Sequence, residues 1–379
     1  MALDFPNSPT LGQLFTSGAL SWRWDGAKWV AASTLTGLYF PNKLVNPFME
    51  IDQANEGTSL TVSGNYILDG VVCNSAVAGT YSAQRVTDAP PGFSNSVRIT
   101  NTATASLVAN SIVQIRKDIE ADDMIDTAFG TSSAQTLSVA FWAKSSLAGT
   151  YGACLQNAVQ NRSFAWNFTL TAANTWQFFT QIVPGDVTGT WTLSGNGKSL
   201  IFFVNPVVGT TFQGTTGTWA AGALGGGAGQ TNTILSTTGA TFQLGPCGLW
   251  VAPAPQPLLR TSIEAELARC QRYYEKSYDI GTAVGATSGG GGSSEYIVGS
   301  GTINNRGWAV PFKTTKRAVP SITCYSPTTG ASGKIRDNQG AADITANVNM
   351  TSAGNFGVYG TTAATAINMG MHWTADARL

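Results

Sequence analysis

The sequence is poor in charge. Only 11% of its 379 residues are Asp, Glu, Lys or Arg, against roughly 25% in an average soluble chain. The 21 basic side chains balance the 21 acidic ones, so no net field draws in nucleic acid or an anionic membrane. Histidine occurs once, at His372. A serine–histidine–aspartate apparatus would have that one base to use, and no Gly-x-Ser-x-Gly elbow accompanies it. The cysteines, Cys73, Cys154, Cys247, Cys270 and Cys324, are odd in number, far apart and without CxxC spacing. This argues against a zinc site or a disulfide framework and predicts buried, reduced thiols. No apolar run reaches the roughly 18 residues of a membrane-spanning helix. The opening Met1-Ala2-Leu3-Asp4-Phe5-Pro6 has neither the basic nor the apolar region of a signal peptide.

What the chain does have is aromatic side chains, at 10%, enough large apolar area to separate it from disorder. They fall in alternating rows. Phe164, Trp166, Phe168 and Leu170 form one row, and Leu137, Val139, Phe141 and Ala143 another. Trp176, Phe178, Thr180 and Ile182 form a third, and Leu200, Phe202 and Val204 a fourth. A period of two sends one side of each strand into a core. Pro184-Gly185-Asp186 and Ser194-Gly195-Asn196-Gly197 punctuate the rows as turns. Many strands without intervening helices predict an all-β fold whose main body, residues 44–257, is a jelly-roll sandwich.

Ahead of it, residues 1–43 hold Trp22, Trp24 and Trp29 around Asp25-Gly26. An Asp-Gly pair between aromatic runs predicts a tight type I′ hairpin with Trp22 and Trp24 on one face. That hairpin can pack its own tryptophans and can offer an aromatic patch to another protein, and the two readings are compatible. Residues 258–280 predict a connecting helix of about 15 residues. Thr261 to Glu264 has capping-box form, and Ile263, Leu267, Cys270 and Tyr274 make one apolar stripe. Residues 281–294, with Gly289-Gly290-Gly291-Gly292, predict a flexible linker. Residues 295–379 alternate again, in Trp308-Val310-Phe312, Ile322-Cys324 and Met369-Met371-Trp373, and predict a smaller C-terminal β-sandwich.

Asn46-Pro47-Phe48-Met49-Glu50-Ile51-Asp52-Gln53, Ser96-Val97-Arg98-Ile99, Leu137 through Ser145, and Ile182-Val183-Pro184-Gly185-Asp186 follow one another along the chain. In that order these segments resemble a carbohydrate-binding-module-like jelly roll of bacteriophage tail fibre and appendage proteins. The most specific is Glu266-Leu267-Ala268-Arg269-Cys270-Gln271-Arg272-Tyr273-Tyr274-Glu275-Lys276-Ser277-Tyr278, similar to that family's helix after the sandwich. The chain departs from the pattern at Gly70-Val71 and at Cys247-Gly248-Leu249-Trp250-Val251. The resemblance implies a virion fibre or appendage subunit, a homotrimer, assembled in the bacterial host cytoplasm. Residues 1–43, through Trp22, Trp24 and Trp29, would attach to other virion proteins, and residues 295–379 would form the tip that meets the bacterial surface polysaccharide.

Direct signs of chemistry are few. Asp118, Glu120, Asp122, Asp123 and Asp126 read as a solvated acidic loop, and their spacing is not that of an EF-hand. Gly225-Gly226-Gly227-Ala228-Gly229-Gln230 lacks the Lys-Ser/Thr ending of a phosphate loop and reads as a long surface loop. Sugar recognition pairs aromatic planes with polar side chains, and Tyr325, Tyr359 and His372 have the strand parity of a solvent-facing polar-aromatic patch. Trp142 also has outward parity, beside Lys144, and reads as structural. The expectation is a binding protein with no catalytic residue, metal or cofactor, without nucleic-acid contact or membrane insertion. The rival readings are a head or collar decoration and a polysaccharide depolymerase tailspike, since glycoside hydrolysis needs only two carboxylates.

Overall fold

The computed structural model describes all residues except 1–4, 11–12, 18–19, 25, 33–39, 78–79, 232–233, 289–292, 299–305 and 362–366. Met1–Pro41 and Asn42–Leu379 are two compact units. In the first, β1 (Leu14–Ser17), β2 (Leu20–Trp24) and β3 (Trp29–Ala32) form an antiparallel sheet in that order. Trp24 pairs directly with Trp29, so the connection is residues 25–28, longer than the two-residue type I′ turn expected there. Phe5 stacks on Trp29 at 5.3 Å and meets Trp22 edge-on at 5.4 Å. Trp24 closes on Trp29 at 5.7 Å. The tryptophans therefore pack one another and the two phenylalanines, Phe5 and Phe15.

The second unit opens with the large sandwich. Its strands are β4 (Leu60–Thr61), β5 (Asn65–Leu68), β6 (Val71–Ser75), β7 (Tyr81–Val86), β8 (Ser96–Asn101), β9 (Ile112–Glu120), β10 (Leu137–Ser145), β11 (Gly149–Asn157), β12 (Arg162–Leu170), β13 (Gln177–Val183), β14 (Lys198–Val208), β15 (Trp219–Ala221) and β16 (Thr241–Val251). A six-stranded sheet runs β13-β10-β16-β8-β7-β4, and a seven-stranded sheet runs β15-β12-β11-β14-β9-β6-β5. Both are antiparallel, and they face each other as a jelly roll. The alternating rows fill the space between. Phe141 from one sheet meets Phe168 at 5.1 Å and Phe202 at 5.9 Å from the other. All five cysteines are buried and none is in a disulfide.

One row is reversed. On β13 the residue that enters the core is Phe179, 4.8 Å from Phe168, while Phe178 and Ile182 are 46% and 39% exposed. Both parities are apolar at Phe178-Phe179, so alternation alone did not choose between them.

The turn between β5 and β6 explains Gly70. Its φ is +70°, and a Cβ there would come within 3.0 Å of the Val45 carbonyl, so both the backbone and the space favour glycine.

The helix α1 (Ile263–Gln271) is nine residues long, shorter than expected. Its cap is Ser262, whose hydroxyl accepts from Ala265 N at 3.2 Å, one residue beyond the expected Thr261. Cys270 and Leu267 pack on Val45 and Ile51, but Ile263 is 47% exposed, and Tyr274 already belongs to the next strand. No helix among the described residues is long and apolar enough to cross a membrane.

The C-terminal part is a second, smaller sandwich. One sheet runs β17 (Tyr274–Lys276), β25 (Ile367–Asp376), β21 (Lys334–Asp337), β22 (Ala342–Thr345), with β18 (Ser294–Val298) and β20 (Ser321–Tyr325) also paired to β25. The other is β19 (Arg306–Pro311), β24 (Asn355–Gly360), β23 (Asn347–Asn349). Phe356, Val358 and Val310 of the small sheet meet Met369, Met371 and Trp373 of the large one. Because β17 pairs with β25, the stretch after α1 is part of this sandwich. The start of the expected linker is packed too: Thr282 O accepts from Lys276 Nζ at 2.8 Å and Gly285 N donates to the Tyr278 hydroxyl at 3.1 Å. Gly289–Gly292 lie outside the described residues.

Candidate functional site

Strand pairing places Tyr325 directly opposite His372, on the outer face of the larger C-terminal sheet. His372 is nevertheless fully buried, which corrects the solvent-facing position read from parity. Residues 277–288 lie over it. Tyr278 stacks on the imidazole at 3.8 Å and 14°. Ser277 Oγ stands 2.9 Å from Nδ1 and Ser288 Oγ 2.5 Å from Nε2. Burial holds the His372 pKa below its ordinary value, partly offset by the Asp279 carboxylate. His372 thus pins a strap of chain and leaves no face for a ligand. Tyr325 completes the cluster, edge-on to Tyr278 at 6.2 Å.

Tyr359 does not join them. Val358, its neighbour on β24, points into the core, so Tyr359 faces out from the opposite, three-stranded sheet. There it walls an open cavity of about 390 Å³ lined by Trp308, Ala309, Asn349, Met350, Gly357, Val358 and Tyr359. The floor is low because Gly357 faces Ala309 on one side and Asn349 on the other. A Cβ on Gly357 would come within 2.3 Å of Asn349 Oδ1 and 2.9 Å of Met350 Cε. The groove combines one phenol ring, one thioether and one carboxamide, with the Asn349 and Met350 side chains lying close over Gly357. Its lining carries no ionisable group other than the Tyr359 phenol, among the described residues. Such a surface can bind an uncharged, partly apolar ligand.

The acidic stretch is built into the fold, not solvated as a whole. Glu120 is 2% exposed and is clamped by Arg272. Asp118 forms an ion pair with Lys198 at 2.8 Å, and Asp126 one with Lys43 at 2.6 Å. Asp122 accepts from Gly195 N at 2.5 Å. Residues Ala121–Thr127 form a short 3-10 helix. Among the described residues no group of acids, cysteines and histidine has the arrangement of a metal site.

The Gly-rich run is a surface loop only in its second half: Ala228 and Gly229 are exposed, while Gly225, Gly226 and Gly227 are buried. Gly225, Gly226 and Gly227 press onto the outer face of the seven-stranded sheet. Asn205 Nδ2 donates to Gly225 O at 2.7 Å, and Asn167 Oδ1 accepts from Gly227 N at 2.8 Å. A Cβ on Gly152 below it would stand 2.6 Å from Gly225 O, so glycine on both sides allows the contact. This strap fills the middle of a face that would otherwise be open. Sequence reasoning missed both this strap and the outward aromatic pair Trp142–Phe178. The excess of glycine facing glycine was the available signal for the first.

No protein-family model and no curated protein sequence matches the chain. Among solved structures it is similar to the enzymatically active domain of tailspike protein 4 of bacteriophage CBA120, at 11% identity and a TM-score of 0.29, over 54% of this chain and 22% of that one. It is similar to the module TmCBM61 in complex with β-1,4-galactotriose, at 10% identity and a TM-score of 0.29, over 56% of this chain and 99% of that one. It is also similar to the CBM22-1 xylan-binding domain of Xyn10C from Paenibacillus barcinonensis, at 9% identity and a TM-score of 0.27, over 53% and 99%. The chain spans about a fifth of the tailspike domain. At these scores the sandwich rests on its own strand pairing.

Proposed function

We propose that this chain is a structural subunit of a bacteriophage fibre or appendage that holds the virion to its bacterial host by binding surface glycan, and that it is not an enzyme. The observation that carries the reading is the Tyr359 groove: open, uncharged and lined by an aromatic ring beside an amide. Hydroxyl-rich, uncharged sugars match that chemistry, and a groove without an acid–base pair favours gripping over cleavage. The ordered sequence resemblance to phage appendage proteins supports the virion assignment. In this reading the chain is a homotrimer, joined to other virion proteins through Trp22, Trp24 and Trp29. Several weak grooves then add through effective concentration.

The test is binding of the purified chain to polysaccharide extracted from the host envelope. Retention by the wild type, a large loss in Tyr359→Ala, and polysaccharide of unchanged length after prolonged incubation are expected. Shortened polysaccharide would establish a depolymerase instead, and a light-scattering mass of one chain would remove the trimer.

A further inference from the structure

The outer face of the six-stranded sheet carries a surface that the Tyr359 groove does not account for. β10 and β13 place Trp142 opposite Phe178, and the rings meet at 5.2 Å. Trp176, one residue ahead of β13, lies beside them over Gly245. A Cβ at Gly245 would stand 3.0 Å from the Trp176 indole and 3.1 Å from Trp142 Cβ, so a side chain there would push the ring outward by a few tenths of an ångström. Polar contacts fix the indole's edge. Trp176 Nε1 donates to Asp88 Oδ1 at 3.3 Å. Asp88 also receives Gln243 Nε2 at 3.0 Å and an ion pair from Lys144, whose ammonium sits 5.1 Å from the centre of the Trp176 ring.

We propose that this face is a second glycan site, taking two or three units of an uncharged oligosaccharide across Trp142, Trp176 and Phe178. The proposal rests on the glycan-binding reading of the chain but not on the groove, which lies on a different sandwich. Three large aromatic side chains on one outward face, with Phe178 46% exposed, are unusual without a partner. The C–H face of a pyranose ring packs on an aromatic plane, while its rim hydroxyls need fixed donors and acceptors. Asp88, bonded to the indole N–H, and Gln243, bonded to Asp88, stand in that role, and Lys144, paired with Asp88, lies over the Trp176 ring. Their charges cancel pairwise, which suits a neutral saccharide and gives an acidic one no net attraction. The alternative occupant, a second copy of this chain, would have to bury the Asp88–Lys144 pair against apolar surface, at the desolvation cost such burial carries.

Saturation-transfer NMR and calorimetry on the full chain test this, with cello-, malto-, xylo- and β-1,4-galacto-hexaose as probes. At least one hexaose is expected to bind the wild type and Tyr359→Ala alike. Its affinity is expected to fall about tenfold or more in Trp176→Ala and in Phe178→Ala. Gly245→Ala, which displaces the indole but leaves the polar groups, is expected to weaken it too, with each variant's unfolding midpoint near that of the wild type. Binding that survives both aromatic variants, or that is lost only in Tyr359→Ala, overturns the platform while leaving the groove. No signal from any hexaose at about 10 mM overturns it as well. So does a drop in particle mass in Phe178→Ala without saccharide binding in the wild type, which marks the face as a contact between copies.

Discussion

Arg272 closes the Nε and Nη2 edge of its guanidinium on the Glu120 carboxylate, at 2.9 and 2.6 Å. The Tyr273 hydroxyl donates to the same carboxylate at 2.7 Å. Glu120 ends β9 of the large sandwich, and Arg272 directly follows α1, so this clamp fixes the helix to the jelly roll. Three residues on, Glu275 turns the other way and pairs with Lys316 of the C-terminal sandwich, both side chains fully buried. Lys316 Nζ also donates to Gln271 O at 2.6 Å and Thr314 O at 2.9 Å. The stretch 271–278 is therefore a rivet between the two sandwiches.

Arg272→Ala leaves the buried Glu120 carboxylate with only Tyr273 as partner. Breaking one side of a buried pair costs about 3–5 kcal/mol, and the half-exposed guanidinium with its surviving phenol partner puts this case near the lower end. Denaturant unfolding should show a loss of about 3 kcal/mol. A loss under about 0.5 kcal/mol would mean that the clamp behaves as a surface pair.

Lys316→Met strands Glu275 in the same way, at a cost of about 3–5 kcal/mol. Replacing Glu275 as well removes the unpaired charge, so Lys316→Met with Glu275→Gln should recover part of that loss. A double-mutant cycle measures it. Simple additivity of the two single losses would contradict a coupled pair.

The pH dependence of stability follows from His372. Its pKa is lowered in the fold by burial, so the unfolded chain takes up the proton first. The sign is a loss: stability contributed by neutral His372 is complete above about pH 6.5, falls as the pH drops below that value, and levels off beneath the folded pKa. Asp69 works in the opposite direction, because burial raises its pKa to about 6, and the fold gains stability as that carboxylate is protonated. The difference between wild type and His372→Gln isolates the imidazole. On going from pH 7.5 to pH 5.5 the wild-type unfolding midpoint should fall relative to that of the variant, which keeps only the opposing Asp69 gain. Parallel profiles would show that the strap over His372 opens without cost.

The fold was legible in the sequence where parity left one choice. Phe164, Trp166 and Phe168 alternate with small or polar neighbours, and they are buried as the period of two requires. Phe178-Phe179 is apolar on both parities, so the row was assigned to the wrong face and the aromatic platform stayed hidden. His372 had the right face but a cover that no local pattern reveals, since Ser277, Tyr278 and Ser288 are about 85 to 95 residues away in sequence. The resemblance of 266–278 marked an important stretch, and the structure gives its reason: Glu266, Arg272, Glu275 and Lys276 each anchor a contact between parts of the unit. Of the candidate groove, the outward position of Tyr359 was legible from parity alone. Its walls were not, because Gly357 and Asn349 meet only through the strand register.

This rivet also decides how the central claim is tested. Deleting residues 295–379 would expose β17 and leave Glu275 unpaired, so lost binding there would report damage to the fold. The direct measurement is adsorption of the full chain to host cells, wild type against Tyr359→Ala, with equal unfolding midpoints as the control for folding. The account predicts that wild-type chain saturates the cell surface and that Tyr359→Ala lowers adsorption about tenfold or more. Equal adsorption by the two chains would contradict it.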